Sequence, residues 1–176
     1  AEAGRLTTCD GRETAPAAAT PKLFLDAAGE PLAFYDAVVG GRSVGTPGTV
    51  RLLFDTHERY GKLPWAAIVQ PAIDLAREGF AVSPRLNELI AEDAERLSRY
   101  PGTKDYFFGT DGAALPVGTI LTNAAYADTL AAIAAKGADG FYAGPVAQGI
   151  VDTVRNAEGN PGVLALSDLA SYAIVE

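Results

Sequence analysis

Glycine and proline interrupt this sequence so regularly that they set where its helices can begin and end. The 176 residues contain 19 glycines and 11 prolines. Proline fits the first turn of a helix but not its interior, and glycine commonly follows the last turn. Between these residues apolar side chains recur at helical spacing, as at Leu86, Leu89 and Ile90 after Ser83-Pro84. The sequence therefore predicts a series of short helices.

Each predicted helix is bounded by a capping residue, a proline or a glycine. The predicted segments are residues 17–26, a helix capped by Thr46 and ended by Gly61, a helix from Pro64 to Gly79 that is kinked or split at Pro71, a helix from Ser83-Pro84 to Leu97, and residues 123–136, 144–157 and 168–171, the last capped by Ser167.

Strand signals are few and lie mainly near the two ends. Residues 5–9 and 172–175 have strand character, residues 32–39 fit a strand or an extended loop, and residues 100–121 fit a loop with a hairpin around Thr110-Asp111-Gly112. A strand needs a partner for its backbone groups. We therefore predict that residues 1–176 form one partial domain, a helical layer whose sheet is largely supplied by sequence outside it.

Composition excludes some classes of function. The net charge of −8 and the isoelectric point near 4.6 argue against nucleic-acid binding. No apolar run is long enough to predict a transmembrane helix. The chain contains no methionine, so we expect that residue 1 is not the natural start of translation and that any targeting segment lies before it. The single Cys9 is compatible with either redox compartment.

The densest polar cluster is Asp10-Gly-Arg-Glu-Thr-Ala-Pro16. The guanidinium of Arg12 presents paired donors that a carboxylate can accept bidentately, which makes Arg12 a candidate ligand for a carboxylate substrate. The alternative from the residues alone is a buried salt bridge to Asp10 or Glu13.

The other motifs are better explained by structural roles than by binding or catalysis. Residues 40–46 resemble a phosphate-binding loop but lack its lysine, so we predict no nucleotide site. His57 is the only histidine, which rules out a metal site with two imidazoles, and we expect a partly buried, hydrogen-bonded side chain. Charges of both signs are mixed at three- and four-residue spacing over residues 85–99, as on a solvated helix face. No catalytic residue, metal site or cofactor is predicted within this chain.

Taken in order, several motifs resemble the γ-glutamyltranspeptidase family of N-terminal-nucleophile hydrolases, and together they cover nearly the whole chain. The matching segments are Asp10-Gly-Arg-Glu-Thr-Ala-Pro16, Leu23-Phe-Leu-Asp26, Gly40-Gly-Arg-Ser-Val-Gly-Thr-Pro-Gly48, Tyr60-Gly-Lys-Leu-Pro-Trp65, residues 71–80, Gly140-Phe-Tyr-Ala-Gly144 and Leu166-Ser-Asp-Leu-Ala-Ser-Tyr172.

The resemblance implies an α/β fold, a four-layer αββα sandwich in the full protein, to which this chain contributes mostly helices with short strands at its ends. It also implies a precursor that cleaves itself into two subunits, with the nucleophilic Thr at the start of the small subunit. This chain resembles the middle of the large subunit and is expected to be inactive alone. Arg12 matches the arginine that holds the α-carboxylate of the γ-glutamyl group.

The expected substrate is glutathione or another γ-glutamyl compound, the expected partner is the small subunit of the same precursor, and the expected location is periplasmic or secreted. Two alternatives stay open. A glutaryl (cephalosporin-type) acylase of the same superfamily would use Arg12 for a similar carboxylate. A non-catalytic helical interaction domain would use Arg12 only in an ion pair.

Overall fold

Helices dominate the chain, for which a computed structural model describes Gly4 and residues 6–176. In chain order its elements are α1 (Phe34–Val38), α2 (Thr49–Tyr60), α3 (Trp65–Glu78), β1 (Phe80–Ala81), α4 (Pro84–Glu92), α5 (Ala94–Leu97), α6 (Pro101–Phe107), β2 (Ile120–Leu121), α7 (Ala124–Lys136), α8 (Asp139–Tyr142), α9 (Gly144–Arg155) and α10 (Leu166–Ser171). Among the described residues, no helix is both long and apolar enough to cross a bilayer.

The fold divides into two compact units. The first contains the residues up to Val69 together with Ala131–Glu176, and the second contains Gln70–Leu130. The prediction of one partial domain over residues 1–176 stays a prediction.

The core of the first unit is built around α9, which packs against α8 and α10. Its apolar face buries Ala147, Val151 and Val154, because these residues recur at helical spacing. Leu164 and Leu169 are fully buried against this face. Each buried leucine or valine contributes about 1.5–3 kcal/mol relative to exposure, so this cluster is the main support of the unit.

The second unit contains the two strands, β1 and β2, paired antiparallel with Phe80 opposite Leu121. Gly79 precedes β1 with φ of +85°, and a side chain there would press against Ile120 and Leu121 of the partner strand. Only glycine combines that conformation with so close an approach. The turn from α3 into β1 is therefore fixed by this residue.

Several predicted elements are confirmed. Helices α7 and α9 lie within the predicted ranges 123–136 and 144–157, and the Ser83 hydroxyl caps α4 by accepting a bond of 3.1 Å from the amide of Leu86. The hairpin is also present, because Phe108 and Ala114 form an antiparallel bridge around Gly112, whose φ is +77°.

Two predictions near the start are wrong. Residues 17–26 form turns and not a helix, because Pro21 lacks an amide hydrogen and restricts Thr20. Residues 32–39 contain α1 and not a strand. The side-chain amide of Asn160 donates to the carbonyl oxygens of Asp36 and Val39 at the end of this helix. This cap lies more than a hundred residues away in sequence, so local signals miss it.

Helix ends account for further corrections. Thr46 does not cap α2; its backbone pairs with Thr14, and α2 begins at Thr49. The predicted helix from Pro84 to Leu97 breaks at Asp93, whose carboxylate accepts a bond of 2.7 Å from Nε of Arg96. Of the two alternatives predicted at Pro71, the split does not occur, since α3 continues through this residue at the loss of one backbone donor; the kink stays a prediction.

The remaining corrections concern residues 100–121 and the start of α10. Pro101 occupies the first turn of α6, which was predicted as loop. Helix α10 starts at Leu166, before the predicted cap Ser167, because the Asp168 carboxylate accepts from the amide of Ala165.

The two ends of the chain meet in one short backbone pairing. Asp10 and Val175 form an antiparallel bridge, with N–O distances of 2.7 Å and 3.0 Å. Neither predicted terminal strand forms: residues 6–9 and 172–174 are irregular, because their backbones lack a paired strand in the described chain. Arg5 lies outside the described residues. The prediction that this chain is a mostly helical part of an α/β fold is confirmed.

Candidate functional site

The candidate site is the Arg12 loop, which we define as residues 10–17. Its backbone is bound at both ends. Asp10 pairs with Val175, and Thr14 pairs with Thr46 through hydrogen bonds of 3.2 Å and 2.8 Å. Further along, the amide of Ala17 donates to Asp168 at 2.9 Å. A loop fixed at so many points can hold a side chain in a defined direction.

The side chain of Arg12 points into solvent. It is 81% exposed, and its Nη2 lies 3.1 Å from a carboxylate oxygen of Glu13. Asp10 does not bind the guanidinium; its carboxylate accepts from the Arg12 backbone amide at 2.8 Å. The expected ion pair with Glu13 therefore exists, but it lies on the surface and leaves the planar fork accessible to a ligand.

Glu13 and Arg12 each stabilise the other's charged form. The side-chain hydrogen bond and the charge of Glu13 raise the pKa of Arg12, and the hydrogen bond from Arg12 lowers the pKa of Glu13. Both groups are thus charged at neutral pH. A carboxylate ligand would compete with Glu13 for the same donors, and an exposed pair of this kind exchanges easily because water and salt screen its attraction.

Two glycines let the backbone segments approach closely under the loop. A side chain on Gly11 would collide with Leu52 of α2. A side chain on Gly48 would collide with the Tyr172 hydroxyl and the Gly11 carbonyl oxygen. The Arg12 loop is therefore packed directly on the start of α2.

A pair of stacked tyrosines supports the loop from the core. The rings of Tyr142 and Tyr172 lie 5.9 Å apart at an angle of 7°. The Tyr172 hydroxyl donates to the Arg12 carbonyl oxygen at 2.7 Å, and the Tyr142 hydroxyl donates to the Pro47 carbonyl oxygen at 2.7 Å. Burial raises the pKa of both tyrosines, so both are protonated donors near neutral pH.

An open cavity of about 540 Å³ lies beside the loop. It is lined by residues 13–16, by parts of residues 19–24 and by residues 42–45. Arg42 lines this cavity, but its Nε donates to Asn160 at 2.6 Å and its Nη1 donates to the Leu23 carbonyl at 2.7 Å. Arg42 is thus committed to holding the loops together, whereas Arg12 is not.

The glycine-rich segment 40–46 has a structural role. Gly41 and Gly162 approach so closely that a side chain on either would collide with the backbone of the other. The amides of Gly41 and Arg42 both donate to the Asn160 carbonyl oxygen, at 2.8 Å and 3.2 Å. Gly41 and Gly162 therefore serve close packing.

His57 matches its predicted structural role. Nε2 of His57 lies 2.8 Å from the Leu63 carbonyl oxygen, and its ring packs 5.2 Å from the Trp65 ring. Cys9 is a half-buried free thiol. Within the described part of the chain, no group of three or more His, Cys, Asp or Glu side chains is arranged to hold a metal ion.

Sequence reasoning found Arg12 but missed the side chains that hold its loop, namely Tyr172 and Asp168. Both lie in the matched segment Leu166–Tyr172, which was considered only as part of a motif. A signal was present at Asp168, because an acidic residue at the third position of a helix commonly caps its start. No local signal connects Tyr172 with Arg12, since they are 160 residues apart.

Comparison with known proteins gives a consistent result. A family model described as "Gamma-glutamyltranspeptidase" matches residues 1–176. The chain is 38% identical over 174 residues to the glutathione hydrolase proenzyme of Arthroderma benhamiae, covering 98% of this chain and 28% of that protein. It is 37% identical over 168 residues to the glutathione hydrolase proenzyme of Bacillus subtilis, covering 96% of this chain and 28% of that protein.

The fold is similar to a solved member of the same group. The crystal structure of Helicobacter pylori gamma-glutamyltranspeptidase superposes with a TM-score of 0.87 at 34% identity, over 95% of this chain and 47% of that one. The acylase ACY 1 proenzyme of a Pseudomonas species is 35% identical over 176 residues, covering 97% of this chain and 31% of that protein. The chain thus spans about a third or less of the length of these curated relatives.

Proposed function

The chain belongs to the gamma-glutamyltranspeptidase family, and from this membership we propose that it forms part of a γ-glutamyl transferase and hydrolase. The enzyme would cleave the γ-glutamyl amide of glutathione-like compounds and pass the acyl group to water or to an amino acid or peptide. The names of the relatives support glutathione as the substrate class.

One observation supports this proposal above the others: an exposed guanidinium stands on a loop whose backbone is fixed at both ends. We propose that Arg12 binds the α-carboxylate of the γ-glutamyl group. A charge-assisted bond of this kind contributes roughly 1.5–3 kcal/mol, and the bidentate fork fixes the orientation of the carboxylate. The cavity beside Glu13 leaves space for a ligand at this edge.

The reacting group would come from the rest of the precursor. In the proposed reaction the hydroxyl of the Thr at the start of a small subunit attacks the γ-glutamyl carbonyl, and its own α-amine takes the proton. The amide C–N bond then breaks, and the amine leaves with that proton. The γ-glutamyl-enzyme then reacts with water or an acceptor amine, so the small subunit is the proposed partner of this chain. The proenzyme relatives support such a precursor. A periplasmic or secreted location is proposed from the family resemblance.

The test is the release of chromophore from a γ-glutamyl anilide by the intact parent protein and its Arg12→Lys variant. Lysine keeps the charge but loses the fork, so we expect KM to rise about tenfold or more, the lower end of 1.5–3 kcal/mol.

Arg85→Lys is the matched control, because Arg85 is 70% exposed and lies 3.2 Å from Glu88, much as Arg12 pairs with Glu13. It should leave KM unchanged. An Arg12→Lys variant with wild-type KM would contradict the proposed role of Arg12. An intact protein without turnover would favour a non-catalytic helical domain.

A second candidate, implied by the family resemblance, is the cleavage of a glutaryl side chain; a relative named as an acylase proenzyme supports acylase activity in general. A glutaryl group carries a terminal carboxylate that Arg12 could bind, but it lacks the α-amine. Turnover of a glutaryl anilide and a γ-glutamyl anilide by the same protein separates the two activities. Preference for the glutaryl compound would replace the first proposal with the second.

A further inference from the structure

The carbonyl group of Arg12 is held by a side chain from the far end of the chain. Backbone pairing binds the loop at Asp10 and Thr14. Between these two points the Arg12 carbonyl oxygen accepts a hydrogen bond of 2.7 Å from the hydroxyl of Tyr172. This bond therefore limits rotation of the peptide group that directly follows the Arg12 side chain.

The position of that hydroxyl is itself determined by the core. Tyr172 is 8% exposed and stacks on Tyr142, which is 3% exposed. Gly48 lies so close to the Tyr172 hydroxyl that any side chain there would occupy its place. The stacked rings and the glycine together aim the hydroxyl at the loop.

We propose that Tyr172 is a positioning residue for carboxylate recognition, because its hydroxyl fixes the Arg12 carbonyl and thereby the direction in which the guanidinium leaves the backbone. The inference rests on the proposed function of Arg12. Bidentate recognition depends on the orientation of both partners, and small misplacements in such sites reduce rates strongly. Loss of the hydroxyl should therefore weaken the preference for substrates that carry a carboxylate.

The test compares two substrates of the intact parent protein. One is a γ-glutamyl anilide, and the other is the γ-aminobutyryl anilide, which is the same compound with the α-carboxylate replaced by hydrogen. The ratio of their kcat/KM values measures carboxylate preference and is insensitive to a uniform loss of active enzyme. We expect Tyr172→Phe to lower this ratio about three- to tenfold, the range that corresponds to one neutral hydrogen bond.

Tyr142→Phe is the matched control. It removes a buried hydroxyl from the same stacked pair, but that hydroxyl donates to the Pro47 carbonyl oxygen and accepts from the amide of Arg51, and it does not bind the Arg12 loop. We expect Tyr142→Phe, which loses two hydrogen bonds, to lower Tm at least as much as Tyr172→Phe, which loses one, and only Tyr172→Phe to lower the ratio. An unchanged ratio in Tyr172→Phe, or an equal fall in both variants, would overturn the positioning role.

Two further variants, Arg12→Lys and Gly48→Ala, complete the test. Arg12→Lys should lower the ratio more than Tyr172→Phe. If wild type shows no carboxylate preference, the proposed role of Arg12 is wrong, and this result is distinct from a failure of the role proposed for Tyr172. Gly48→Ala keeps both tyrosines and places a methyl group against the Tyr172 hydroxyl, so it should also lower the ratio. If Tyr172→Phe does not fold, a wild-type ratio in a folded Gly48→Ala protein would overturn the inference.

Discussion

Asp168 is the buried carboxylate that ties the end of the Arg12 loop to α10. It is 9% exposed, and its two oxygens accept from different backbone amides: Ala17 at 2.9 Å and Ala165 at 2.8 Å. Asp168→Asn keeps the shape of the side chain but replaces one acceptor oxygen with an NH₂ group that faces an N–H donor. One of the two amides is then left without an acceptor.

The expected loss of stability follows from the hydrogen bonds that the variant loses. A hydrogen bond to a charged group contributes about 1.5–3 kcal/mol, and a buried amide left unsatisfied costs about 1–3 kcal/mol, two measures that overlap for the same group. We therefore expect Asp168→Asn to lower the free energy of unfolding by about 1.5–3 kcal/mol. Asp168→Ala, which removes both acceptors, should lower it further.

The measurement is urea denaturation of the intact parent protein, with the free energy taken from transitions of equal m-value. Asp152→Asn is the control, because Asp152 is an exposed carboxylate on α9 that accepts one side-chain bond, of 2.8 Å from Gln148. It should change stability by less than about 0.5 kcal/mol. If the two asparagine variants are equally stable, Asp168 does not tie the loop to α10 in the way described.

Two other predictions test the same unit. Asn160→Ala removes the acceptor of Arg42 Nε and the donor to two carbonyls at the end of α1. It should lower the free energy of unfolding, measured by urea denaturation, by about 2–4 kcal/mol. Asn156→Ala, at an exposed position, is the control and should change it little. Burial raises the pKa of Tyr142 and Tyr172 above the ordinary value of 10.0, so the folded state favours the protonated forms. The contribution of these tyrosines to the free energy of unfolding should be fully retained below pH 10 and fall above it. In Tyr172→Phe, the fall in the free energy of unfolding between pH 9 and pH 11 should be smaller than in wild type.

Elements whose determinants are local were predictable from the sequence. The hydroxyl of Ser83 caps α4, and Gly137, with φ of +60°, follows the last residue of α7. In both cases the residue that fixes the end of the helix lies within four positions of it. A pattern read along the chain contains all the information that such an element needs.

Elements stabilised by distant partners were not predictable in the same way. Helix α1 has weak local signals, and the carbonyls at its end are satisfied by Asn160, which is 124 positions from Asp36. Thr46 has the sequence context of a helix cap, yet its backbone pairs with Thr14 and its side chain is almost fully buried. Here tertiary contacts override a correct local propensity.

The candidate site combines both situations. Arg12 was identifiable because its chemistry is carried by its own side chain and by Asp10 and Glu13 beside it. The orientation of that side chain depends on Tyr172, and the space for the Tyr172 hydroxyl depends on the missing side chain of Gly48. In the sequence Gly48 is indistinguishable from an ordinary glycine before a helix, because the reason for its size is an atom that lies more than a hundred residues further along the chain. The proposed carboxylate recognition would therefore depend on three segments packed together, although only one of them contains the charge.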